Sequence, residues 1–238
     1  MIEQMSVPGR VDAAALLLSL RPPAWHLRHV RAVAEVAAWL AFRAVAAGRP
    51  VQRALVEAAA LLHDIDKVLP ADDPIRTFAH GVGSAAWLTA RGHGELAAAV
   101  VGHPVTRLAA GDADAWLDRA SGEELLVAYA DKRAGQHLLS MAGRFADWTR
   151  RYPDGVNWHG WSGAEATAVR RRAEHLESAA CALARVTPEA VGRLAWTDRA
   201  LAVARAAGFD TADTAGTPAG VPAGAVAEDA AGAARAAR

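Results

Sequence analysis

Apolar positions along this chain recur every three or four residues in one segment after another, and no segment reads as a convincing strand. Residues 1–20 begin polar and run into AAALLLSL, a short N-terminal helix that Pro22 and Pro23 stop. From Trp25 to Ala47, the residues Val30, Val33, Ala34, Ala37, Leu40 and Ala41 form one stripe, and Gly48 is placed to end the helix. Leu55, Ala58, Ala59 and Leu62 mark the buried face of the next helix, for which Pro50 suits a start. LPADDPIRTF is a loop. His80 opens a helix through Trp87 and Leu88 that ends near Gly92, and Glu95–Val101 is a shorter one running into Gly102-His103-Pro104. Ala109–Asp114 is a polar loop, and Glu123–Met141 is helical with Leu125, Leu126, Ala128 and Tyr129 inward. Beyond Arg150 comes RYPDGVNWHGWSG, a loop dense in Gly and Trp, then a long polar helix over Ala164–Arg185. Thr187-Pro188-Glu189 caps a last helix, or helix pair, reaching about Ala207. The expected fold class is all-α. Residues 211–238 carry almost no large apolar side chain, cannot offset their ordering entropy, and read as a disordered tail.

Composition narrows the picture. Hydrophobic residues are 53 % of the 238, enough for a sizeable core, and formal net charge is zero, which leaves no global basic field for nucleic acid. The single Cys181 excludes an internal disulfide and a thiolate cluster, and reads as a small buried hydrophobe. No apolar run is long enough for a membrane span, and MIEQMSVPGR lacks the features of a signal peptide, so a cytoplasmic protein is expected. The Arg-rich stretch Arg170–Arg172 also holds Glu174 and Glu177 and reads as a solvated face. Trp148, Trp158 and Trp161 read as a packing cluster.

Polarity arrives abruptly at the end of the Leu55 helix, as His63, Asp64, Asp66 and Lys67. A buried His-Asp pair needs a partner, and a divalent metal takes both a neutral imidazole and a carboxylate. His29, His63, Asp64, His80, His103 and Asp131 all lie at or near predicted helix ends, which can converge on one cavity of a bundle. His26 competes with His29 for the first position. Adjacent helical residues do not share a face, so His63 and Asp64 can share an ion only if the helix unwinds there.

The order of these segments, HLRHVRAVAEVAAWLA, LLHDIDK, FAHGVGSAAWL, VVGHP and AYADK, resembles the HD superfamily of metal-dependent phosphohydrolases over roughly residues 25 to 140. The resemblance implies a helical HD domain at 21–150, preceded by the N-terminal helix at 1–20 and followed by a helical C-terminal extension at 151–210. It implies that His29, His63, Asp64 and Asp131 hold one divalent metal and that His80 and His103 allow a second, with Asp64 bridging. The ion is Mn, Fe, Ni or Mg. LLHDIDK carries Asp66 where the HDIG variant has Gly, which argues against the cyclic-dinucleotide subgroup and gives a carboxylate able to orient a ligand histidine. The implied chemistry is hydrolysis of a phosphoester or phosphoanhydride, of a nucleotide or dinucleotide, by metal-activated water. Asp64 and Lys67 would be catalytic. Phosphate contacts would come from Lys67 first, then Arg133, with Arg76 and Arg107 at the mouth. A homodimer is compatible with the sequence. The competing readings are a diiron oxygenase built on the same ligands and a sensor or binding module without turnover.

Overall fold

The computed structural model describes residues 7–151, 161 and 163–209. The tail at 211–238, most of the Gly- and Trp-rich loop and Trp158 lie outside them. Ten α-helices are present among the described residues: α1 Arg10–Ser19, α2 Ala24–Ala46, α3 Arg53–Leu62, α4 Val82–Thr89, α5 Gly94–Val101, α6 Ala113–Arg119, α7 Gly122–Arg133, α8 Met141–Arg151, α9 Gly163–Ala184 and α10 Thr197–Ala206. Short 3-10 turns occupy Ile65–Val68, Pro74–Thr77, Val105–Leu108 and Pro188–Ala190. The described residues hold no strand, and their one extended pairing is an isolated bridge between Ala134 and Leu138. The fold is all-α.

The central helix is α2. Its residues Ala32 to Ala38 are buried on every side, as expected of a helix that other helices surround. It packs on α3, α7 and α9, and it stops at Ala47, after which Gly48 takes φ +72°. One buried carboxylate interrupts this apolar run. Glu35 accepts from Arg193 Nε at 3.1 Å and Thr197 Oγ1 at 2.6 Å, while its backbone carbonyl takes the Leu194 N–H at 2.9 Å. On α3, buried Glu57 likewise accepts two bonds from Arg10 and one from Arg53, all at 2.7 Å. These two acids fasten the ends of the chain to the middle, and α1 lies against α10 and α3.

Several boundaries differ from those the sequence predicts. Pro50 does not open α3, which starts at Arg53, because Gln52 caps it and donates its backbone N–H to Glu123 at 2.8 Å. His80 stands two residues ahead of α4 instead of opening it, with Gly81 at φ +82° between. A Cβ at Gly81 would meet Pro104 at 2.6 Å, so both its conformation and its contact require glycine. The supposed loop at Ala109–Asp114 already belongs to α6 from Ala113. The single helix expected over Glu123–Met141 ends at Arg133 as α7, and helix resumes only at Met141 with α8. The break follows from hydrogen bonding: Ala134 is extended, the Gly135 carbonyl turns out to accept from His29, and the Arg133 carbonyl takes the Leu139 N–H at 2.6 Å. Beyond α9, Pro188–Ala190 forms only a short turn, and the chain runs without helix to Thr197. Cys181 is buried, as expected, with the Tyr129 hydroxyl 3.5 Å from its sulfur.

Candidate metal centre

The end of α3 decides the geometry. His63 keeps helical angles at φ −61° and ψ −33°, but Asp64 departs to φ −104° and ψ 22° and the chain tightens into the 3-10 turn at Ile65–Val68. This unwinding lets two adjacent side chains reach one point. Around that point stand His29 from the first turns of α2, His80 from the loop before α4, His103 just beyond α5, and Asp131 near the end of α7. The imidazole Nε2 atoms of His29 and His63 are 3.3 Å apart, and those of His80 and His103 3.1 Å. Asp64 lies between the two pairs. Its Oδ2 is 3.3 Å from His29, and its Oδ1 is 3.5, 3.2 and 3.3 Å from His63, His80 and His103. Asp131 Oδ1 closes the first pair at 3.4 Å from His29 and 3.7 Å from His63. Two ligand groups result, His29–His63–Asp64 and Asp64–His80–His103, with the offered atoms of each within 4.8 Å of one another.

The other nitrogen of each ring explains the orientation. Nδ1 bonds the Gly135 carbonyl in His29 at 2.7 Å, the Ala60 carbonyl in His63 at 2.8 Å and the Val100 carbonyl in His103 at 2.7 Å. In His80 it bonds the Asp66 carboxylate at 2.9 Å. All four partners are acceptors, so Nδ1 carries the proton and a neutral ring points its Nε2 lone pair into the cluster. Four Nε2 atoms and two carboxylates thus converge in a buried space, a donor set that suits a divalent cation when the rings are neutral.

The electrostatics agree. Burial works against ionising Asp64 and Asp131, yet Lys67 and His63 beside Asp64, and Lys132 and His29 beside Asp131, hold both well below the usual carboxylate range. Burial also works against a charged His80, and Lys67 adds to that, but Asp66 and Asp64 outweigh both and raise it to about 9. His29 is likewise raised, its burial overcome by Asp131 and Asp64, whereas burial prevails at His103 and lowers it to about 4. The field that draws a proton onto two of these rings is the field that draws a cation.

Not all the cations named from sequence come to this point. Lys67 does, with Nζ 3.1 Å from Asp64 Oδ2. Arg133 does not: it is buried and turned toward α9, donating to the Leu139 carbonyl at 2.6 Å, to the Tyr129 hydroxyl, and to Glu177 at 3.4 Å. Arg107 forks onto Asp112 at 2.6 and 3.0 Å, and Arg76 donates to the Leu69 carbonyl at 3.1 Å. Among the described residues neither bonds to the cluster. The group that sequence reasoning passed over is Lys132. It is fully buried and joins Asp131 Oδ2, at 2.7 Å, to the His103 carbonyl. The signal available for it was only its place beside Asp131. His26, the rival for the first position, is also fully buried, but among the described residues both its ring nitrogens lack a hydrogen-bond partner.

Compared with known families, residues 27–134 match the model described as HD domain, a span that contains all six clustered side chains. No curated protein and no solved structure matches the chain.

Proposed function

We propose, from the HD domain that residues 27–134 match, that the chain is a metal-dependent phosphohydrolase acting on a nucleotide or dinucleotide. The observation that carries this reading is the convergence of four imidazole Nε2 atoms on the shared carboxylate of Asp64. His29, His63, Asp64 and Asp131 would hold one divalent ion, and Asp64, His80 and His103 a second. A bound ion of this kind supplies Lewis acidity and water activation. The protein supplies the rest. The carbonyls of Gly135, Ala60 and Val100 fix three rings before any ligand arrives, so their orientation costs nothing at the moment of binding. Lys132 offsets the charge of Asp131 from inside the core. Lys67 is the reading's phosphate contact, because its ammonium lies at the cluster while about a third of its side chain remains open to solvent.

The test is metal analysis joined to a phosphate-release screen over nucleotides and dinucleotides with Mn, Fe, Ni or Mg. Two ions per chain with release are expected. Asp64→Ala should lose both ions and reduce turnover at least a hundredfold, since it removes a ligand from each group. Unchanged metal content in that variant would overturn the assignment. Two irons without release would favour an oxygenase on the same ligands, and neither ion nor turnover a binding module.

A further inference from the structure

The four rings are not held alike. His29, His63 and His103 each lean on a backbone carbonyl, whereas His80 leans on a side chain, Asp66. His80 is also the only one of the four that follows no helix and belongs to none. It sits in the turn before α4, against Gly81 at φ +82°. Asp66 grips that turn twice, at His80 Nδ1 and at the Gly81 N–H, 2.8 Å away. Asp66 is itself located by the Ser84 hydroxyl, which accepts its backbone N–H at 3.2 Å. The space it occupies depends on a further glycine: a Cβ on Gly83 would come within 3.0 Å of Asp66 Cβ. Asp66, Gly81, Gly83 and Ser84 therefore form one clasp, and its product is the aim of a single ring.

We propose that Asp66 is a positioning residue that sets how tightly the Asp64–His80–His103 group holds an ion, without doing so for the other group, so that the two ion positions of the cluster are separable. This rests on the reading of the cluster as a two-ion centre. Among the described residues the His29–His63–Asp64–Asp131 group shares no bond with the clasp, and its two rings lean on main-chain carbonyls that Asp66 does not touch. Removing a carboxylate that orients a ligand histidine weakens an ion by about ten- to a hundredfold. That loss should fall on one position only.

The experiment is calorimetric titration of the full chain with Mn²⁺, with thermal unfolding of each protein measured alongside. The wild type should show two binding events. Asp66→Ala should retain one with its affinity within about twofold, and weaken the other ten- to a hundredfold. Asp66→Asn keeps an oxygen that accepts from His80 Nδ1 or Gly81 N–H, and should restore part of the loss. Equal weakening of both events, or of neither, in a variant that unfolds at the wild-type temperature overturns the proposal and leaves the two-ion reading in place. If Asp66→Ala is too unstable to titrate, Asp66→Asn decides by the same criterion. A single event in the wild type, unchanged in the variants, also overturns it. No binding by the wild type overturns the underlying reading first, and this inference with it.

Discussion

Among the described residues neither buried ring nitrogen of His26 has a hydrogen-bond partner, and this residue contributes to the dependence of stability on pH. Burial, opposed by Asp64, lowers His26 from 6.5 to about 3. The unfolded chain therefore takes up a proton below 6.5 that the folded chain refuses until about 3, and stability falls as pH falls through that window. The slope is at most about 1.4 kcal/mol per pH unit. In thermal unfolding against pH, His26→Leu should show a shallower acid limb than the wild type and equal or higher stability at neutral pH. Parallel acid limbs would refute this. Lys132 makes the opposite prediction. Lys132→Met removes the charge that accompanies buried Asp131 and leaves the His103 carbonyl unpaired, a loss of about 3–5 kcal/mol read by chemical denaturation. At this scale the sequence was only partly legible. The six clustered side chains could be named from their order and apolar context. Their anchors could not, because Gly135, Ala60 and Val100 act through main-chain carbonyls that no residue type announces. Lys132 and Arg133 were indistinguishable for a different reason: helix phase turns neighbours to different faces, and which face meets the cluster depends on how α7 packs.

Helices with a continuous apolar stripe and a terminal glycine, such as α2, follow from periodicity alone. The break between α7 and α8 does not. Residues 134–140 hold one glycine among residues that helices tolerate, and the ladder is interrupted by bonds to His29 and within the loop itself. The unwinding at Asp64 is of the same kind, a local departure set by tertiary partners. Packing of α7 on α9 gives Arg133 its role. Tyr129 donates to Glu177 at 2.7 Å, and Arg133 donates to both Tyr129 and Glu177, so the three form a partly buried polar tie between the helices. Tyr129→Phe should cost about 1–2 kcal/mol, since it leaves Glu177 short of a donor. Arg133→Met should cost about 3 kcal/mol and leave KM for a phosphorylated substrate within twofold. A tenfold rise in KM without loss of stability would return Arg133 to the site.

For the whole molecule, the proposed centre is built from α2, the ends of α3, α5 and α7, and the turn before α4, so on that reading ion binding is linked to folding. Ions that bind only the folded chain add about 2.7 kcal/mol per position at a hundredfold excess over Kd. Chelation should therefore lower Tm by several degrees, and Asp64→Ala should remove that response; an unmoved Tm would show that the cluster binds nothing tightly. No helix among the described residues is long and apolar enough to cross a membrane. The residue that ties α2 down is Glu35, whose partners Arg193 and Thr197 come 158 and 162 positions later in the chain. At ordinary rates of synthesis they follow α2 by about 8 to 30 s. Only over the last 62 positions of that interval, from Asp131 to Arg193, does the growing polypeptide carry His29, His63, Asp64, His80, His103 and Asp131 while Glu35 still lacks both partners. A ribosome halted between Asp131 and Arg193 would display all six proposed ligating side chains on a chain whose Glu35 has neither partner, so on the two-ion reading metallation waits for the Arg193–Thr197 segment.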